Sequence, residues 1–249
     1  MNNSNHLKYT FAATITSYDT DASGNAGLAN LFYLFQEAAN HHATALDWGM
    51  EYLDSIQKFW VLSRLKIHII KYPVHKDQIA ITTWSRGAEG FFAWRDYQVK
   101  LADTVCINAT SSWLILDKNT HRPVKIDQIE RKIPAINENY LLFPEHKMPA
   151  MALTNKIFEK QVNYSDIDIN QHVNNGKYVE IIVDALAPKI MSGAVMAELD
   201  IQYLFESQIN DIIAVYCDEI DATHTNLTLV NTTKGKETCK CSVKWDFVR

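Results

Sequence analysis

The chain has 249 residues, of which 47% are hydrophobic, so it can bury a sizeable core in one large domain or in two. The net charge of -5 and the sequence pI of about 6.0 exclude an overall basic excess, so the composition indicates neither nucleic acid nor an acidic membrane surface as a partner. The four cysteines are too few and too unevenly spaced for a disulfide framework. No apolar run is long enough to span a membrane. We therefore expect a cytoplasmic protein.

The first half of the chain begins with one helical pattern followed by strand patterns. Residues 28–46 place apolar side chains at helical spacing over much of the circumference, which predicts a mostly buried helix. Four runs rich in β-branched and aromatic residues follow: "FWVLSRLKIHII", "QIAITTWS", "FFAWRDYQVKL" and "VCINATSSWLIL". One helix and about four strands form a coherent unit.

The pattern changes over residues 127–156, where three prolines and clustered charges indicate a connection between units. Beyond it a strand at "KIFEKQVNY", a helix at "GKYVEIIVDAL" and four further strand-like runs repeat the first half. We predict an N-terminal unit over 1–130, a linker over 131–154 and a C-terminal unit over 155–249. Each unit is expected to be a helix wrapped by an antiparallel sheet, in the α+β class.

The repeat can be aligned at two places. Pairing Tyr18 with Tyr164 gives an offset of 164 − 18 = 146, and pairing Asp77 with Asp211 gives 211 − 77 = 134. The second copy is then 12 residues shorter between its helix and its strands. The internal alignment allows the two copies to be compared position by position.

The stretch "DIDINQHVNN" carries polar residues that the first copy lacks at offset 146. If the stretch is extended, its alternate residues share one face. These three residues and their counterparts are Asp168 with Ala22, Asn170 with Gly24, and His172 with Ala26. The alternative is a turn in which the side chains only satisfy local backbone groups. Asn174 or Asn175 can cap a helix that begins near Gly176.

A second polar position follows an apolar strand in "DIQYLFESQ". At offset 134 Glu206 faces Tyr72, so the shared architecture does not require an acid there. A carboxylate beside apolar residues is costly unless it has a partner or a function. The alternative is a solvated strand end.

The motif "SDIDINQHVNNGKYVE", the duplicated layout and Glu206 together resemble acyl-acyl carrier protein thioesterases of the plant and bacterial type. "FQEAANHH" and "TSSWLILDKNTHRPVKI" are similar to that family's first half, so the resemblance covers nearly the whole chain. It implies a double hotdog fold and hydrolysis of a fatty acyl thioester carried on acyl carrier protein, which ends fatty acid synthesis. The N-terminal unit would bind the acyl chain and the C-terminal unit would be catalytic.

By position, the resemblance places Asp168, Asn170, His172 and Glu206 on the family's catalytic positions. Glu206 would activate water or attack the carbonyl, and His172 would share the acid–base work or orient the water. Asp168 would hold His172, and Asn170 would position the thioester or the water. The backbone amides of Asn174, Asn175 and Gly176, at a helix N-terminus, would stabilise the oxyanion. Plant members tend to carry cysteine where this chain has Ser207, which argues against a thiol nucleophile.

Related functions stay open because the fold alone does not determine activity. The alternatives are an acyl-CoA thioesterase, a dehydratase and a non-catalytic acyl-binding module. An acidic carrier protein would need a basic patch, for which Arg64, Lys66, Arg86 and Arg95 are the candidates. We expect no metal and no cofactor, no nucleic acid partner, and a monomer or a homodimer.

Overall fold

The computed structural model describes residues 7–136, 148 and 150–247. The chain divides into two compact units, Met1–Phe143 and Pro144–Arg249. We call them unit 1 and unit 2. The unit boundaries predicted from the sequence stay a prediction, and residues 137–147 and 149 of the predicted linker lie outside the described residues.

Unit 1 contains an antiparallel sheet, one long helix and one short helix. Its helices are α1 (Leu28–Ala45) and α2 (Met50–Ser55). Its strands are β1 (Lys8–Thr14), β2 (Lys58–Ile69), β3 (Gln78–Glu89), β4 (Phe92–Leu101), β5 (Thr104–Asp117) and the two-residue β6 (Pro123–Val124). The strand order is β1-β3-β4-β5-β2, with β6 paired to β5.

Within its described residues, unit 2 repeats this plan with one α-helix fewer. Its helix is α3 (Asn175–Met191), and its strands are β7 (Lys156–Gln161), β8 (Ala194–Tyr203), β9 (Ile212–Asp221), β10 (His224–Asn231) and β11 (Lys236–Phe247). The strand order is β7-β9-β10-β11-β8, which matches unit 1 strand for strand. The predicted internal repeat is therefore confirmed, and α2 is an element of unit 1 that the sequence patterns did not indicate.

Each long helix packs its apolar side against the sheet of its own unit. In α1 the buried residues recur three and four positions apart, as predicted, and the ring of Phe35 packs against Tyr97 of β4 at a centroid distance of 5.0 Å. In β11 the alternation predicted from the sequence buries Cys239, Cys241, Val243 and Trp245. The register shifts between Lys244 and Trp245, and Phe247, expected on the same side, is 51% exposed.

The segment after β6 packs back onto unit 1. Ile126 joins a buried cluster with Trp48 and Leu53, and Ile133 packs against that cluster. The amide of Ile136 donates to the carbonyl of Ser85 at 2.9 Å. The first residues of the predicted linker, up to Ile136, therefore contact unit 1.

One residue suggested for a basic docking patch is buried. Arg95 is only 9% exposed, and its Nη1 lies 2.7 Å from Nδ1 of His42 and 3.2 Å from Oγ1 of Thr83. Burial is the largest cause that lowers the pKa of this guanidinium. Arg95 therefore belongs to the interior of unit 1, and its inclusion among surface cations is wrong.

Candidate active site

The segment that precedes α3 is a tight turn. The amide of Asp168 donates to the carbonyl of His172 at 2.9 Å, and the amide of Gln171 donates to the carbonyl of Asp168 at 3.0 Å. Gln171 has a φ of 65°, in the left-handed region that non-glycine residues enter only at a cost. Ile167 and Val173 form an antiparallel bridge at the base of the turn. The prediction of an extended segment with one polar face is therefore wrong.

The turn brings His172 next to Glu206. Nε2 of His172 lies 3.1 Å from Oε2 of Glu206, and the two side chains are 25% and 45% exposed. The amide of Val173 donates to the carbonyl of Ser207 at 2.9 Å, which ties the turn to the loop after β8. The contact places a ring nitrogen that can carry a proton against an oxygen that can accept one. Two of the four predicted catalytic residues thus form a solvent-accessible pair.

The other two predicted residues lie in the same turn without joining the pair. Oδ1 of Asp168 accepts a hydrogen bond from the amide of Asn170 at 2.8 Å, and Asn170 is exposed. In the part of the chain that the structure describes, neither side chain hydrogen-bonds to the ring of His172. Asp168 therefore supports the backbone of the turn, as in the local alternative, and does not orient the imidazole as expected.

The N-terminus of α3 is capped by a side chain. Oδ1 of Asn174 accepts from the amide of Gly176 at 2.8 Å, which confirms Asn174 as the N-cap. The hydroxyl of Tyr203 donates to the carbonyl of Asn175 at 3.0 Å and fixes the first turn of the helix. The amide of Gly176 is thus already used. Among the described residues the amide of Asn175, the first helical residue, has no acceptor.

Unit 1 has a turn with the same backbone hydrogen bonds before α1. The amide of Asp21 donates to the carbonyl of Asn25 at 2.8 Å, as Asp168 does to His172. The offset is therefore 168 − 21 = 147, and 172 − 25 = 147 for the acceptor. The offset of 146 predicted for this region is wrong by one residue, because the pairing of two tyrosines in loops misplaced it.

The corrected alignment changes which residues distinguish the two copies. The amide of Ser23 donates to Oδ1 of Asp21 at 2.9 Å, as Asn170 does to Asp168, so the aspartate belongs to the shared turn. The true counterparts are Asp21 for Asp168, Ser23 for Asn170, Asn25 for His172 and Gly27 for Asn174. The histidine is therefore specific to unit 2, whereas the aspartate is not.

The second predicted offset is confirmed. The amide of Ala26 donates to the carbonyl of Pro73 at 2.7 Å, which repeats the bond from Val173 to Ser207, and 207 − 73 = 134. Glu206 therefore corresponds to Tyr72, as predicted. The copies differ by 147 − 134 = 13 residues between these points, where only unit 1 contains α2.

Sequence comparison places these two units in a known family. The chain matches the acyl-ACP thioesterase N-terminal domain over residues 6–133 and the acyl-ACP thioesterase C-terminal domain over residues 151–247. The chain belongs to the acyl-ACP thioesterase family. The matched regions contain the turn, the His172–Glu206 pair and both sheets.

Curated members of the acyl-ACP thioesterase family are distant relatives of this chain. It is 26% identical over 227 residues to oleoyl-acyl carrier protein thioesterase 1 of Arabidopsis thaliana, a match that covers 83% of this chain and 62% of that protein. It is 22% identical over 270 residues to the oleoyl-acyl carrier protein thioesterase of Coriandrum sativum, covering 98% and 71%. The chain thus spans about three fifths of the length of the Arabidopsis oleoyl relatives it matches.

Solved structures of acyl-ACP thioesterases share the fold. An acyl-ACP thioesterase from Bacteroides thetaiotaomicron superposes with a TM-score of 0.88 at 22% identity and covers 99% of this chain and 100% of its own. The 12:0-ACP thioesterase from Umbellularia californica gives 0.85 at 19% identity, covering 97% and 98%. The predicted double hotdog fold is confirmed.

Behind the pair, Ser207 belongs to a buried network. Ser207 and Asn231 are both 0% exposed, and Nδ2 of Asn231 donates to Oγ of Ser207 at 3.1 Å. The same Nδ2 donates to Oδ2 of Asp211 at 2.7 Å, and Nζ of Lys234 lies 3.0 Å from that oxygen. Burial acts to raise the pKa of Asp211, but hydrogen bonds from the amide of Gln208, from Lys234 and from Asn231 outweigh it and lower the pKa.

A second acid supports the turn from the other side. Oδ2 of Asp166 accepts from the amide of Asn163 at 2.8 Å, Oδ1 accepts from Nζ of Lys160 at 2.9 Å, and the carbonyl accepts from the amide of Asn174. Burial acts to raise the pKa of Asp166, but the hydrogen bonds that its carboxylate accepts from Asn163 and Lys160 lower it below its usual value. Asp166 therefore holds the start of the turn and the N-cap together.

Sequence reasoning missed Asp166, Asp211 and Asn231. Asp211 was visible as one half of the repeated "DQIA" and "DIIA", where it served only to align the copies. Asn231 ends a strand, as many surface asparagines do, and nothing in its local sequence indicates a buried contact. Its role depends on residues 20 and 24 positions away, Asp211 and Ser207.

The ranges of the chain that the structure describes contain no group of three or more His, Cys, Asp and Glu side chains with the spacing to hold a metal ion. Among the helices in these ranges, none combines the length and the apolar character that crossing a membrane requires.

Proposed function

We propose that this chain hydrolyses fatty acyl-acyl carrier protein thioesters and releases a free fatty acid and the carrier thiol. The observation that carries the proposal is the His172–Glu206 pair, with 3.1 Å between Nε2 and Oε2 and both side chains partly exposed. Its counterparts in unit 1, Asn25 and Tyr72, cannot form such a pair. Membership of the acyl-ACP thioesterase family supports the same reaction class.

In the proposed mechanism Glu206 is the general base. The carboxylate removes a proton from a water molecule as the water oxygen attacks the thioester carbonyl. The tetrahedral intermediate then collapses, the C–S bond breaks, and the leaving sulfur takes up a proton. The proton is the one that Glu206 took from the water, and His172, whose Nε2 lies against the carboxylate, is placed to relay it to the sulfur. Asn170, which is exposed beside the pair, would position the thioester.

For the oxyanion we propose the backbone amide of Asn175. This amide lies at the first position of α3, where the helix leaves its early N–H groups without internal acceptors and where the helix dipole favours negative charge. Asn174 supports this amide indirectly, because its side chain already binds the amide of Gly176 and fixes the helix start. Of the three residues proposed for the oxyanion, only Asn175 therefore offers a direct donor.

Attack by Ser207 is disfavoured. Its side chain is fully buried, and its Oγ accepts a hydrogen bond from Asn231. A nucleophile must reach the carbonyl and needs a base within hydrogen-bond distance. Glu206 is 45% exposed, so water can approach its carboxylate without rearrangement of the loop. The geometry thus favours hydrolysis by activated water over an acyl-serine intermediate.

We further propose that unit 1 binds the acyl chain and that an acyl carrier protein delivers it. The support is that α1 turns a largely apolar face with Phe35 toward β4, where Tyr97 packs against it. We propose a cytoplasmic location, which is consistent with four free, buried cysteines. Separation of cell fractions followed by detection of the chain tests the location.

The deciding experiment is steady-state hydrolysis of matched acyl-acyl carrier protein and acyl-CoA thioesters over several chain lengths. We expect the higher kcat/KM on the carrier-linked substrate. A preference for acyl-CoA would support the CoA thioesterase alternative. Binding of acyl groups without release of thiol would support the non-catalytic alternative and would overturn the proposal.

A further inference from the structure

We propose that Asn231 is a positioning residue that keeps Glu206 within reach of His172. It lies at the end of β10, and its hydrogen bonds in the described part of the chain go to neither member of the pair. The inference rests on the proposed function, since it assigns Asn231 a part in the same hydrolysis. Three sets of contacts carry it.

First, every hydrogen-bonding group of the Asn231 side chain is used in unit 2. Nδ2 donates to Oγ of Ser207 at 3.1 Å and to Oδ2 of Asp211 at 2.7 Å. Oδ1 accepts from the amide of Lys234 at 3.0 Å. A primary amide offers two donor hydrogens and one acceptor oxygen, so this set satisfies it in a site that is closed to water. A fully satisfied buried amide has one orientation.

Second, the hydrogen bonds of Ser207 connect Asn231 to the segments that carry Glu206 and His172. Its carbonyl accepts from the amide of Val173, next to His172, while its Oγ accepts from Asn231. Glu206 is its immediate neighbour and lies on a loop after β8, outside any strand. A loop residue is placed precisely enough for catalysis only when neighbouring contacts restrict it. The bonds to Ser207 supply that restriction.

Third, unit 1 forms the same loop without this network. Ile79 pairs with Leu101 as Ile213 pairs with Asn231, and 213 − 79 = 134, so Leu101 stands where unit 2 has Asn231. Pro73 stands where unit 2 has Ser207. Neither side chain can donate or accept a hydrogen bond.

The loop acid is common to both units. Oδ2 of Asp77 accepts from the amide of Val74 at 2.9 Å, and Oδ2 of Asp211 accepts from the amide of Gln208 at 2.8 Å. The loop therefore folds without a serine and an asparagine. The added contact from Asn231 to Ser207 occurs in the unit that carries the His172–Glu206 pair.

The test replaces Asn231 with the residue that unit 1 uses. In Asn231→Leu we expect kcat on an acyl-acyl carrier protein to fall about ten- to hundredfold, since small misplacements of catalytic groups cost up to that factor, while KM changes less than about threefold. The matched control is Thr225→Val on the same strand. Thr225 is also fully buried and bonds Trp245 and Lys189, away from the pair, so its loss should leave kcat within about twofold.

A double-mutant cycle separates positioning from general weakening of the fold. If Asn231 acts through Glu206, then Asn231→Leu in a Glu206→Gln background should change the residual kcat by less than about twofold. Equal losses in both backgrounds would show that Asn231 acts independently of Glu206, and the inference would be overturned. Single-turnover measurements at high enzyme concentration make the residual rates accessible.

A second variant covers the case in which Asn231→Leu does not fold, as judged by thermal unfolding. Ser207→Ala removes the other end of the same hydrogen bond, and we expect a two- to tenfold loss of kcat that disappears in the Glu206→Gln background. Unchanged kcat in Ser207→Ala, or the same loss in both backgrounds, would overturn the inference. If the wild-type chain hydrolyses no acyl thioester, the proposed function itself fails; if it does and Asn231→Leu keeps its kcat, only this inference fails.

Discussion

The turns before α1 and α3 have the same backbone and different chemistry. Both close with a hydrogen bond between equivalent residues, Asp21 to Asn25 and Asp168 to His172, and both use the aspartate side chain to bind an amide two residues later. In each unit a carbonyl of the neighbouring loop accepts a hydrogen bond from the turn: Pro73 from the amide of Ala26, and Ser207 from the amide of Val173. The shared bonds show what the fold requires, and the differing side chains show what it does not.

Three of the differences between the copies at this place concern the pair and the helix cap: unit 1 has Asn25, Tyr72 and the N-cap Gly27 where unit 2 has His172, Glu206 and Asn174. None of the three is needed to form the turn, because unit 1 forms it without them. The difference shows that the scaffold of the turn does not depend on the residues of the His172–Glu206 pair. The predictions below test that separation of scaffold from chemistry.

The largest effect should come from Glu206→Gln. This change keeps the shape of the side chain beside His172 but removes the base, so kcat should fall by about two to four orders of magnitude, the span for lost acid–base catalysis. The control is Tyr72→Phe at the equivalent place in unit 1, which should keep kcat. A folded Glu206→Gln variant with near-wild-type turnover would remove Glu206 from the mechanism.

The two loop aspartates should differ in their contribution to stability. Asp211 is buried and binds Asn231 and Lys234 in addition to an amide, whereas Asp77 is only half-buried. Loss of hydrogen bonds to a buried charged group costs more, so Asp211→Ala should lower the free energy of unfolding by about 2–4 kcal/mol and Asp77→Ala by about 1 kcal/mol. Denaturant unfolding measures both, and equal losses would contradict the expected difference.

The same contacts predict how acid affects the protein. The pKa values of Asp211 and Asp166 are lowered in the folded state, so their stabilisation is fully present above the usual value of 3.8. It is lost as the pH falls from that value through the lowered folded pKa. Unfolding midpoints measured between pH 7 and pH 2 should therefore drop below about pH 4. Asp211→Ala should reduce that drop; an unchanged pH dependence in the variant would remove Asp211 as a cause.

A smaller effect is expected from Ser207→Ala. The hydroxyl accepts a neutral hydrogen bond from Asn231, worth roughly 0.5–1.5 kcal/mol, which corresponds to a loss in kcat of about tenfold or less. The measurement is kcat of the folded Ser207→Ala and Glu206→Gln variants on one acyl thioester. If Ser207→Ala loses as much activity as Glu206→Gln, an acyl-serine intermediate replaces the water mechanism.

The smallest effect is expected when the pair is transferred to unit 1. In Asn25→His combined with Tyr72→Glu, turnover per chain should not rise above that of the wild type, because unit 1 also lacks the capping Asn174 and the Asn231 contact. Active-site titration against a thioester substrate provides the count of sites. Doubled turnover would show that the pair alone is sufficient.

Local sequence was enough to predict much of the fold. Helical spacing over 28–46 predicted α1, found at Leu28–Ala45, and the alternation ending in "CSVKW" predicted the buried side of β11. These patterns can be recognised in the sequence because one face of each element must be apolar. Apolar residues therefore recur every two positions in a strand and every three to four positions in a helix. The short helix α2 has too few turns to show such a pattern.

The sequence alone determined that the chain is an internal duplication and that His172 and Glu206 stand out from it, because both follow from comparing residue types along one chain. Only the tertiary structure decided the register of the turn, since a shift of one residue changes no composition but changes every hydrogen-bond partner. Only the structure shows that the Asp168 side chain binds the backbone amide of Asn170, and that Asn231 hydrogen-bonds to Ser207. Contacts between residues far apart in the chain have no local pattern, because they depend on which strands and loops fold against each other.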